Sequence, residues 1–193
     1  LYGYAWNKVY RVQSLRESGV VFEKITLIED IKFNVSYFDS VCSMNVLNTT
    51  PYHYLKRIDG SLTNKFLPNY FTLNAERGFL VLEQYKNWGM CTEEVRRILA
   101  NIYVRYLFSA LQRNCDKRSN MNHAQRKEWL KQQYKTPLCK ELLSAVQASG
   151  TLFKYMAKAF CAGNIPLCLM IARSIFAVKS AFPTVFSTLK QQH

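Results

Sequence analysis

Acidic residues are scarce in this chain of 193 residues: 13 Asp and Glu stand against 26 Lys and Arg, a net charge of +13 with neutral histidine. That imbalance calls for an anionic partner (nucleic acid, nucleotide phosphate or an acidic lipid surface) without choosing among them. Glycine (7) and proline (5) are sparse, and 49% of residues are hydrophobic against 20% charged. Disordered, collagen-like and coiled-coil chains are thereby excluded, leaving a folded globular one. No run of about 18 uncharged apolar residues occurs. The longest candidate, 165–186, is cut by Arg173, Lys179 and Pro183, so nothing reads as a membrane span. The six cysteines (42, 91, 115, 139, 161 and 168) include no C-x-x-C pair and no His at ligand spacing, which argues against zinc. Cys161 in K-A-F-C-A-G and Cys168 in P-L-C-L-M-I-A have apolar neighbours and are expected to be buried, reduced thiols of a cytoplasmic protein. A polar lead-in is missing too: Leu1 lies inside an aromatic, strand-like stretch, L-Y-G-Y-A-W-N-K-V-Y-R, and the expectation is a fragment of a longer protein.

What is present divides in two. Residues 1–65 carry eight Lys and Arg against six Asp and Glu, a net of +2, whereas 66–193 carry eighteen against seven, a net of +11. The first region mixes short elements. A helix is expected at Ser14–Ser18, closed by Gly19, and another at Asp30–Phe38, with Ile31, Val35 and Phe38 on one face. Extended segments are expected at Val20–Phe22, Ile25–Ile28, Val41–Leu47 and Pro51–Leu55, and a turn at Asp59-Gly60-Ser61. From Leu67 helical periodicity takes over. Thr92 is placed to cap a helix whose first turn holds Glu93 and Glu94 and whose stripe is Val95, Ile98, Leu99, Ile102, Tyr106 and Ala110. Further helices fit Asn122–Tyr134, Pro137–Ala148, Thr151–Cys161 and Pro166 to near Lys190, the last broken or kinked at Pro183. The fold class is therefore α+β and mostly α, with a helical bundle in the second region.

The most specific pattern lies in the first region. W-N-K-V-Y-R (Trp6–Arg11) is followed by S-G-V-V-F-E (Ser18–Glu23), then L-I-E-D-I-K-F (Leu27–Phe33), then P-Y-H-Y-L-K-R-I-D-G-S-L-T (Pro51–Thr63). In this order and at these distances it resembles the C-terminal half of the catalytic domain of family 2 glycosyltransferases, the GT-A enzymes of bacterial polysaccharide biosynthesis. The resemblance covers about a third of the chain. It implies an acceptor-side portion of a GT-A domain over 1–65 followed by an α-helical extension over 66–193. It also implies inverting transfer of a sugar from a nucleotide-diphosphate sugar to a saccharide or polyprenyl-linked acceptor.

Such transfer needs a carboxylate to take the proton of the acceptor hydroxyl as its oxygen attacks the anomeric carbon. The resemblance makes Asp30 that base, with Glu29 beside it contacting the acceptor or orienting the site; an ordinary helix cap is the other account of an E-D pair. Trp6, Asn7 and Lys8 would line the acceptor side, or else form a core strand with a buried Trp and an exposed Lys. His53 is a candidate for a late cation ligand or a structural histidine, and Arg57 with Lys56 would reach the donor diphosphate or end a basic strand. The family's D-x-D, which holds Mg²⁺ or Mn²⁺ on the diphosphate, occurs nowhere in the 193 residues. The divalent cation and the nucleotide-sugar are therefore expected in a longer parent, and the isolated chain is expected to be inactive.

Two other classes compete. A non-catalytic basic helical module would bind nucleic acid through Arg96, Arg97, Arg105, Arg113, Lys117 and Arg118, although no RNP, KH, zinc-finger or helix-turn-helix signature accompanies them. A helical oligomerisation domain is the third. No acidic residue follows Glu141, while Lys154, Lys158, Arg173, Lys179 and Lys190 are interleaved with apolar residues. That terminal segment suits either peripheral attachment to the anionic inner face of the plasma membrane or a core helix of the bundle.

Overall fold

The computed structural model describes residues 3–25, 27–49, 52–53 and 66–182. These residues are helical or irregular, and no strand occurs among them. The helices are α1 (Val12–Ser18), α2 (Glu29–Asp39), α3 (Tyr70–Asn87), α4 (Glu93–Arg113), α5 (His123–Lys135), α6 (Pro137–Leu143), α7 (Thr151–Cys161) and α8 (Ile165–Ala181). The mostly-α class holds; the expected β part does not appear among the described residues. Val20–Phe22 and Val41–Leu47 are irregular, as are the described parts of Ile25–Ile28 and Pro51–Leu55. Their alternation has no apolar face to bury: Val46 is 83% exposed, and Leu47 and Val21 are nearly as open. An isolated extended pair without further strands or a covering helix is marginal in water. The Asp59–Ser61 turn and Pro183 lie outside the described residues.

The chain forms two compact units, one of residues 1–67 with 76–90, the other of 68–75 with 91–193. In the first unit α2 supplies the core through Ile28, just before it, and Ile31, Phe33, Val35, Tyr37 and Phe38, all buried, joined by Val81 and Leu82 of α3. Two polar ties fix this core. The buried Gln84 amide donates to the Val35 carbonyl at 2.6 Å and to Asp39 Oδ1 at 2.7 Å, so α3 satisfies a group near the C-terminal end of α2. Lys32 bridges Glu23 (3.3 Å) and Glu76 (2.8 Å). α3 stops where Gly89 adopts φ 68, and Gly89 and Met90 N–H donate back to the Lys86 and Tyr85 carbonyls. This 18-residue helix was not separately marked by the sequence, which signalled only helical periodicity after Leu67.

The second unit is built on α4, against which α6, α7 and α8 pack. The buried positions of α4 are Leu99, Ala100, Tyr103, Val104, Leu107, Phe108, Ala110, Leu111 and Gln112, while Ile98 is 49% exposed. The buried face is thus rotated by more than a quarter turn from the expected stripe. Three helices pack on α4, and their placement rather than local periodicity selects the face that leaves water. Thr92 caps α4 as expected, its hydroxyl accepting from Val95 N–H. α6 ends at Leu143, short of the expected Ala148. Cys168 is buried, but Cys161 is exposed because it closes the outer face of α7, a correction to the expectation from its apolar neighbours. Among the described residues no helix is long and apolar enough to cross a membrane.

Candidate functional site

The N-terminal segment is held against α2 by specific contacts. Tyr10 OH donates to Asn34 Oδ1 at 2.7 Å, and Arg11 N–H donates to Tyr37 Oη at 3.0 Å. The Tyr10 ring meets Phe33 and Tyr37 edge-on, while Phe22 stacks flat on Phe33 at 4.0 Å. These anchors bring the W-N-K segment to the start of α2, where Glu29 and Asp30 form the first turn.

Neither carboxylate is a cap. The N-cap position is Ile28, and no side chain there accepts a capping hydrogen bond. The capping account of the E-D pair is therefore not the one this helix uses. Instead Asp30 lies within electrostatic reach of Lys8 and Tyr10. Burial lowers the Lys8 ammonium from its ordinary value, and the Asp30 charge opposes that shift. Burial first, then the Asp30 and Tyr37 charges, push the Tyr10 phenol up to about 12. The Lys8 ammonium also donates to the Tyr4 carbonyl and to Asn7 Oδ1. Glu29 Oε2 is buried with no hydrogen-bond partner among the described residues, an uncommon state for a carboxylate oxygen. Leu27, two residues earlier, sits at φ 87, a conformation that costs a branched side chain of order 1–3 kcal/mol and tends to cluster at functional sites.

Trp6 does not present a bare face. Its ring stacks on Tyr4 at 4.9 Å and on Tyr52 at 4.3 Å, and the two tyrosines are the more exposed members of this trio. The stack brings the start of the fourth motif to the first, so Trp6, Asn7 and Lys8 share a neighbourhood with Tyr52 and the exposed His53. Arg57 and Lys56 lie outside the described residues. Sequence reasoning named Asp30, Glu29, Trp6, Lys8 and His53 but missed Tyr4, Tyr10 and Leu27. The one available signal for these was the density of aromatics around the W-N-K motif.

No D-x-D occurs in the sequence, and no group of three His, Cys, Asp or Glu side chains that could hold a metal ion occurs among the described residues. The arginines considered for nucleic acid are engaged within the second unit. Arg96 pairs with Glu141 at 3.0 Å, Arg97 with Glu94 and Arg118 with Asp116, while Arg105 and Arg113 cover the rings of Phe153 and Tyr70. A cavity of about 530 Å³ between the start of α4 and Ser144–Gln147 is lined by the Arg97–Glu94 pair and by Arg96, and it contains none of the motif residues. No protein-family model, curated protein or solved structure matches the chain.

Proposed function

We propose that the first unit is the acceptor-side part of an inverting family 2 glycosyltransferase, with Asp30 as the general base. One observation carries the reading: the aromatic stack on Trp6, the Lys8 ammonium and the uncapped Glu29–Asp30 turn are drawn together by the packing of 4–11 on α2. Asp30 then faces an acceptor hydroxyl and takes its proton while that oxygen bonds to the anomeric carbon and the nucleoside diphosphate departs. Glu29 and Asp30 form the first turn of α2, at the positive end of its dipole. The Lys8 ammonium lies within electrostatic reach of the Asp30 carboxylate, and the half-exposed rings of Tyr4 and Tyr52 offer apolar faces to a sugar. Donor and cation binding fall to residues outside this chain, so the 193 residues alone do not turn over.

The test is Asp30→Asn in an enzyme that joins this chain to a donor-binding half. Sugar transfer is expected to fall by roughly 10²–10⁴-fold, with donor affinity and the helical circular dichroism unchanged. Near-normal turnover would remove Asp30 from the base role.

A further inference from the structure

We propose that the outward faces of α7 and α8 form a docking surface for an anionic lipid bilayer. The inference stands on the second unit alone and is independent of the transferase reading. α7 turns Met156, Ala157, Ala159 and Phe160 inward, and α8 turns Cys168, Leu169 and Ala172 inward. The two helices pack on each other and both lie on α4, so their opposite faces adjoin. Those faces keep large apolar side chains in water: Leu152, Tyr155, Met170, Val178 and Phe182 are each more than half exposed. Among them stand the exposed cations Lys154, Lys158 and Arg173.

Charge selects the occupant. No Asp or Glu follows Glu141, so nothing on either helix offsets these cations. A second copy of the same face would bring like charges together. A polyanion such as nucleic acid would satisfy the cations but leave Leu152, Met170 and Val178 unrewarded. A bilayer with acidic headgroups satisfies both at once, since side chains such as Leu and Phe enter the headgroup–acyl boundary while each Lys or Arg gains from the surface potential. An open cavity of about 400 Å³ lined by Gly150, Thr151, Lys154, Tyr155 and Lys158 offers a headgroup phosphate a recess whose lining includes two lysines.

The experiment is sedimentation of the full chain with vesicles of phosphatidylcholine, with and without phosphatidylglycerol. Partition is expected only with the anionic vesicles, and it should weaken as salt is added. Lys154→Glu with Lys158→Glu should lower it roughly tenfold or more. Met170→Ser with Val178→Ser should lower it as well, all four side chains being exposed so that circular dichroism stays unchanged. Equal partition to neutral and anionic vesicles, no partition at all, or indifference to both variant pairs would each overturn the proposal. Self-association that the same variants abolish, without vesicle binding, would assign the face to a contact between copies instead. Retention on DNA without vesicle binding would assign it to nucleic acid.

Discussion

Tyr10 shows how one side chain fixes the neighbourhood of the candidate base. Its hydroxyl bonds Asn34, which is wholly buried, and its ring is wedged between Phe33 and Tyr37. Tyr10→Phe keeps the ring contacts and removes that bond, so we expect a loss of about 1–2 kcal/mol in denaturant unfolding. An unchanged midpoint would show that the bond is matched by water. The same phenol adds a pH signature. Its folded pKa of about 12 lies above the ordinary 10.0, so its contribution to stability is complete below pH 10 and is lost as pH rises toward 12. At this scale the sequence made the acids and Trp6 legible because motif order exposes residue types. It could not show the Trp6–Tyr52 stack or the Leu27 backbone, since both depend on how distant segments meet.

Helix boundaries follow from short-range chemistry, and the most complete case is α5. Asn122 accepts from the Gln125 N–H at 2.9 Å while the Gln125 side chain accepts from the Asn122 N–H at 2.8 Å, a reciprocal capping box. Leu130 is the one buried residue of this helix, so its local signals matter more than its packing. Asn122→Ala should therefore cost about 1 kcal/mol and fray the first turn. Hydrogen exchange of the amides of Gln125 and its neighbours would read it, and unchanged protection there would refute the capping role. Thr92, Thr136 and Asn164 cap α4, α6 and α8 in the same way, each side chain accepting from a backbone N–H. Capping of this kind is local in sequence, which is why the Thr92 cap is legible in the sequence. The buried face of α4 was not, because amphipathic periodicity points to one partner and α4 has three.

Across the whole molecule the six thiols report burial unit by unit. Cys139 and Cys168 are buried in the second unit, and burial pushes both thiols up to about 11 from an ordinary 9.0. A thiol so raised stays protonated at neutral pH and is a poor nucleophile. Brief alkylation of the native protein near neutral pH, followed by mass spectrometry, should modify the exposed Cys42 first and leave Cys139 and Cys168 intact until the protein unfolds. Early modification of Cys168 would mean that α8 opens readily from α4, α5 and α7. Their raised values also imply that this unit loses stability as pH climbs from about 9 toward 11. The sequence by itself determined the mostly helical class, the concentration of positive charge after residue 65, the Thr92 cap of α4 and the E-D turn, because each rests on composition or on neighbours a few positions apart. Tertiary structure alone decided which extended-looking segments failed to become strands, which face of α4 is buried, where the outward faces of α7 and α8 lie and what surrounds Asp30. Those outcomes depend on contacts between residues far apart in the chain, and burial is rewarded only where such partners actually meet.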